Sequence, residues 1–135
     1  MGVRENFIDG AWVAGERAAP DVNPSNLADV VGEYAHAGTA HVDAAIAAAT
    51  AAFPTWSRGN VQARADALDK IGTEILARRE ELGMLLSREE GKTKPEGIGE
   101  AARAGYIFKF FAGECLRLAG ELLPSVRPGI GVEIT

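Results

Sequence analysis

The chain has 135 residues, 47% of them hydrophobic, with 19 acidic and 14 basic side chains for a formal charge of −5. That composition is enough for one compact core and rules out a disordered tail. The two signs of charge are interleaved, and no block of Lys or Arg is dense enough to track phosphates. The most apolar run, Ala44 to Phe53, is far short of the roughly 20 residues of a membrane helix. Both features argue against nucleic acid and membrane as partners.

Phe7-Ile8-Asp9-Gly10-Ala11-Trp12-Val13 sets an Asp-Gly pair between two short apolar stretches, which predicts strand, tight turn, strand. Asn23-Pro24-Ser25-Asn26 is a loop by composition, and Val30 to Ala35 is β-branched and aromatic enough for a third strand. From Thr39, a candidate cap, Val42, Ile46, Ala49 and Phe53 recur at helical spacing until Pro54, where the helix is expected to end. A second helix is predicted over Val61 to Arg79, with Val61, Leu68, Ile71 and Ile75 on its apolar face. A third runs from Glu80 to Glu90 and stops at Gly91. Thr93-Lys94-Pro95-Glu96 spells a capping box with proline in the first turn. It opens a long helix in which Ala104, Ile107, Phe108, Phe111, Cys115 and Leu118 form one apolar stripe that something must cover. Past Pro124 the apolar residues among Pro and Gly predict a strand or hairpin.

Most motifs that suggest chemistry fail on inspection. Gly91-Lys92-Thr93 ends like a phosphate-binding loop, but the glycine required five residues before Gly91 is Leu86. Gly97-Ile98-Gly99-Glu100-Ala101-Ala102 matches GxGxx[GA], yet follows a helix cap rather than a strand, so these are expected to be small residues at a helix contact. Cys115 lies on the apolar stripe without a base beside it and reads as structural. It makes no intrachain disulfide, and with no apolar leader in Met1 to Asn6 the expected compartment is cytoplasmic. His36 and His41 have no second ligand at metal spacing, and the pairs Glu80-Glu81 and Glu89-Glu90 diverge on a helix and read as solvated. Glu100 projects onto the apolar stripe with Arg103 at its edge. Either the two form a structural ion pair, or the carboxylate takes a partner from elsewhere in the protein, or Arg103 is a cationic lip for an anionic ligand.

Taken together, the order of these segments resembles the start of the aldehyde dehydrogenase superfamily. Phe7 to Val13 resembles its opening hairpin, Asn23-Pro24 with Val30-Val31-Gly32 its next strand, and Val42 to Ile46 through Phe53 and Trp56 its first helix. Arg64-Ala65 with Leu68, Glu89-Glu90-Gly91-Lys92 and Phe110-Phe111-Ala112-Gly113 are similar to its later helices. Leu76 to Pro124 is similar to bacterial dehydrogenases for acid semialdehydes, α-ketoglutarate semialdehyde (2,5-dioxopentanoate) in particular.

The resemblance implies an α/β fold, the N-terminal portion of that enzyme's: a short hairpin and a strand, about four helices, then a C-terminal strand. Residues 1–135 would form part of the cofactor-binding domain, with an oligomerisation arm starting near 125–135. It also implies oxidation of an aldehyde to a carboxylic acid with NAD or NADP in a homo-oligomer. The nucleophilic cysteine, the base glutamate and the nicotinamide loop of the family all fall beyond Thr135, so no catalytic, cofactor-binding or metal residue is carried over and the chain alone is expected to bind no cofactor. The one site residue carried over is Arg103, which by the Phe110-Phe111-Ala112-Gly113 register falls at the mouth of the substrate tunnel. The alternative expectation is a non-catalytic binding module derived from the same fold.

Overall fold

A computed structural model describes residues 2–117 and 120–134 and gives three antiparallel strand pairs and four helices. β1 (Asn6–Ile8) and β2 (Ala11–Val13) form the expected hairpin. Asp9 and Gly10 at its turn hold φ of 51° and 78°, the left-handed pair that a two-residue connection needs. Phe7 and Trp12 face each other across the strands with ring centroids 5.0 Å apart.

β4 (Val30–His36) is the strand expected at Val30 to Ala35, but its partner β3 (Arg17–Val22) was not expected. Ala18, Ala19, Pro20 and Asp21 carry little strand preference of their own, and the segment becomes a strand because β4 offers it a ladder. Its register shifts between Asp21 and Val22, next to Pro20, which has no N–H to donate. On the other edge of β4 the backbone of Arg4 exchanges hydrogen bonds with Glu33 and Ala35 at 2.8 and 2.9 Å.

The helices follow as α1 (Thr39–Ser57), α2 (Val61–Ala77), α3 (Arg79–Glu90) and α4 (Lys94–Cys115). Two expectations for α1 are corrected. Gly38, not Thr39, is the cap, with its N–H donating to Nδ1 of His41 at 3.1 Å. Pro54 does not end the helix, which continues one turn to Ser57. So close to the end, the proline removes one intrahelical bond, and the guanidinium of Arg64 donates to the carbonyls of Trp56, Ser57 and Gly59 at 3.1, 3.1 and 3.4 Å.

α4 is the central helix and packs on both α2 and α3. Its buried residues are Gly97, Ala101, Gly105 and Ala112, facing Ala65 and Gly72 of α2 and Gly83 and Ser87 of α3. The expected stripe of large residues lies off this seam and stands largely uncovered: Ile107 and Phe111 are exposed, Ala104, Phe108 and Cys115 are half-buried, and Leu118 lies outside the described residues. On α2 as well, Val61 and Ile71 are exposed while Ala65 and Gly72 are buried. The helix axes come so close that a Cβ at Gly72 would lie 2.8 Å from the Gly105 carbonyl oxygen, and one at Gly97 would overlap the Gly83 carbonyl. Close approach of backbones thus selects the smallest residues for the seam.

The β region is fastened to α3 by polar contacts. Asp29 receives two hydrogen bonds from Arg88 at 2.6 and 2.9 Å and a third from Asn23 at 3.1 Å. Tyr34 donates to Glu89 at 3.3 Å. At the chain's other end, where a strand or hairpin was expected, β5 (Glu121–Pro124) and β6 (Gly131–Ile134) make a hairpin, and all of their residues are exposed.

Candidate functional site: the outer face of α4

α4 starts where Gly91, at φ 72°, stops α3 and turns the chain. The carboxylate of Glu96 accepts from the N–H and the hydroxyl of Thr93 at 3.1 and 2.7 Å, and these two bonds hold its carboxyl below the usual carboxylate range. The capping sequence therefore works through its glutamate, and it fixes the rotation of everything downstream. With Gly97, Ala101, Gly105 and Ala112 turned inward, 100° per residue turns Arg103, Tyr106, Ile107 and Phe110 outward. All four are exposed, Tyr106 at 64% and Phe110 at 59%. Phe110 and Phe111 meet edge to face with ring centroids 5.3 Å apart.

Arg103 and Glu100 do not pair. Glu100 accepts from the ammonium of Lys92 at 2.7 Å, and that ammonium also reaches Glu90 at 2.6 Å. Glu100 first and Glu90 second raise the Lys92 pKa above its usual value. Arg103 has no ion-pair partner among the described residues. Of the readings open for this pair, the structure removes the ion pair between them, gives Glu100 its partner from elsewhere in Lys92, and leaves Arg103 on the same outward face as Tyr106 and Phe110. A guanidinium so placed can bind a planar anion.

Lys92, in the phosphate-loop look-alike, is held by two carboxylates, and the N–H of Gly97 donates to the Thr93 carbonyl at 3.1 Å instead of facing a ligand. Cys115 is half-buried at the end of α4. His36 closes β4, and His41 serves the α1 cap. No cluster of three His, Cys, Asp or Glu side chains that could hold a metal occurs among the described residues. The paired glutamates are less idle than expected: Glu81 binds Arg78 at 2.6 Å, Glu89 accepts from Tyr34, and Glu90 binds Lys92. The roles of Lys92 and Arg64 were missed, since both act on groups brought close only by the turns after α3 and α1. Among the described residues no helix is long and apolar enough to cross a membrane.

Residues 12–134 match the model of the aldehyde dehydrogenase family. The chain belongs to that family. It is 36% identical over 118 residues to the alpha-ketoglutarate semialdehyde dehydrogenase of Haloferax volcanii, covering 86% of this chain and 24% of that protein. To the alpha-ketoglutaric semialdehyde dehydrogenase of Bacillus subtilis it is 35% identical over 123 residues, covering 89% and 25%. Betaine aldehyde dehydrogenase of Staphylococcus aureus, solved in complex with NAD+, superposes with a TM-score of 0.88 at 27% identity over 96% of this chain and 27% of that one. The chain thus spans about a quarter of the length of the curated relatives it matches. Its α/β architecture is that of the N-terminal part of the aldehyde dehydrogenase fold. The resemblance read from the hairpin, the helices and the Phe110-Phe111-Ala112-Gly113 step is thereby established.

Proposed function

We propose that this chain is the N-terminal segment of an NAD(P)-dependent aldehyde dehydrogenase that oxidises an acid semialdehyde to the corresponding dicarboxylic acid, with Arg103 at the entrance of the substrate tunnel. The observation that carries the substrate class is the unengaged Arg103 on the outer face of α4 beside Tyr106, Ile107 and Phe110. A guanidinium presents a planar fork that binds a carboxylate through two parallel hydrogen bonds. It would hold the carboxylate end of the substrate and leave the aldehyde end free to travel inward. Several relatives are named for such substrates, the two α-ketoglutarate semialdehyde enzymes among them.

In this reading residues 1–135 belong to the cofactor-binding domain, and hydride transfer to NAD or NADP is the cofactor's chemistry. The thiol and carboxylate that act on the aldehyde are supplied by sequence outside this chain, and the chain alone binds no cofactor. The exposed β5–β6 hairpin, with Leu122 79% exposed and both edges open, begins an oligomerisation arm near 125–135, and the assembled protein is a cytoplasmic homo-oligomer. The test is NADH or NADPH formation by the full-length protein with succinate semialdehyde, an anionic aldehyde, against butanal, a neutral one of equal length. A higher kcat/KM for the anion supports the reading. A protein inactive with both aldehydes and both cofactors would instead support a non-catalytic binding module built on the same exposed apolar faces.

A further inference from the structure

We propose that Lys92 is a positioning residue for Arg103: by holding Glu100 it keeps the arginine free for an anionic substrate. The inference rests on the reading of Arg103 given above and names a residue that tunes the same site without touching the substrate.

Glu100 and Arg103 stand three apart on one helix, a spacing at which opposite charges meet. The same chain shows the outcome at helix ends, for Arg78 at the α2–α3 turn with Glu81 and for Glu114 with Arg117 just past α4. Glu100 and Arg103 depart from that pattern because Lys92 reaches the carboxylate first, at 2.7 Å. Lys92 is well placed to do so. It follows the left-handed Gly91 and precedes the Thr93 cap, and the Gly91 carbonyl is pinned by the Ser25 hydroxyl at 3.1 Å. Its side chain is only 19% exposed, and Glu90 anchors the ammonium from the α3 side at 2.6 Å. The lysine therefore spans the α3–α4 turn and draws Glu100 back towards it.

Released, Glu100 would be a carboxylate tethered one turn from Arg103, competing with the substrate's carboxylate from within the same molecule. A pair of this spacing has an equilibrium constant of about 2 in favour of contact, so about a third of the arginines would remain free and the apparent affinity for an anion would fall about threefold.

The experiment compares the ratio of KM for succinate semialdehyde to KM for butanal across variants of the full-length protein. Lys92→Met is expected to raise the ratio about threefold, and Lys92→Met with Glu100→Gln to return it to the wild-type value, because a neutral amide no longer competes. Arg103→Met serves as the reference and should raise the ratio most. If Arg103→Met raises it and Lys92→Met does not, the role of Lys92 is overturned and the reading of Arg103 stands. If the double variant stays as impaired as Lys92→Met, the loss comes from the lysine's own charge, and the positioning role is overturned. If Arg103→Met leaves the ratio unchanged, the mouth reading itself fails.

Discussion

Replacing Gly97 and Gly99 with alanine, one at a time, should move stability in opposite directions although the two positions are two residues apart on α4. Both gain about 1 kcal/mol from the better helix propensity of alanine. At Gly99 nothing lies within 4 Å of the new methyl group, so that gain is the whole effect. At Gly97 the methyl would overlap the Gly83 carbonyl oxygen and Ser87 Oγ, and the Gly83 carbonyl belongs to the α3 backbone, which cannot turn aside. Forcing the helices apart costs about 1–3 kcal/mol. The Ser87 hydroxyl, now 2.8 Å from the Gly83 carbonyl and 3.2 Å from that of Thr93, loses about 1 kcal/mol more. The net is about 1–3 kcal/mol of destabilisation for Gly97→Ala against about 1 kcal/mol of stabilisation for Gly99→Ala. Urea titration followed by circular dichroism reads both. Equal shifts of the midpoint in the same direction would refute the claim that the α3–α4 seam is set by backbone contact.

Two further predictions concern the joints between elements. The hydrogen bonds from Arg88, and secondarily from Asn23, hold the Asp29 carboxyl down at about 2 against an ordinary 3.8. A lowered folded-state pKa gives stability that is fully present above about pH 4 and is lost as pH falls towards about 2. Arg88→Ala should flatten the pH dependence of the melting temperature in that window, and an unchanged slope would deny the clamp. Arg64→Ala should uncap the turn that α1 adds after Pro54, at a cost of about 1 kcal/mol, seen as faster amide exchange over 55–57 with α3 unaffected. Unaltered exchange there would mean that the turn is held by other contacts.

Element order was readable because its signals are local: the Asp9-Gly10 turn, the stop at Gly91, and the Thr93 to Glu96 cap each need only neighbours in sequence. The packing faces were not. Hydropathy ranks Ile107 and Phe111 above Gly105 and Ala101, yet close backbone approach buries the small pair and leaves the large pair outside. β3 escaped for a related reason, since Ala18 to Asp21 owe their strand state to β4 rather than to their own preferences. At the candidate site the role proposed for Arg103 came from the family register. Its lack of a carboxylate partner did not, because Lys92 lies eight residues from the Glu100 that it engages and in a different segment. The outward direction of Arg103 could have been read from the GxxxA spacing of Gly97 and Ala101, had the small residues been taken as the inward face.

The measurement that bears most directly on the account is steady-state kinetics of the full-length protein and its Arg103→Met variant with succinate semialdehyde and butanal. Loss of a charge-assisted pair predicts a ratio of the two KM values raised about 10- to 100-fold, with the change confined to the anionic aldehyde's side of the ratio. A ratio unchanged by the substitution would contradict the assignment of α4's outer face as an anion-selecting entrance.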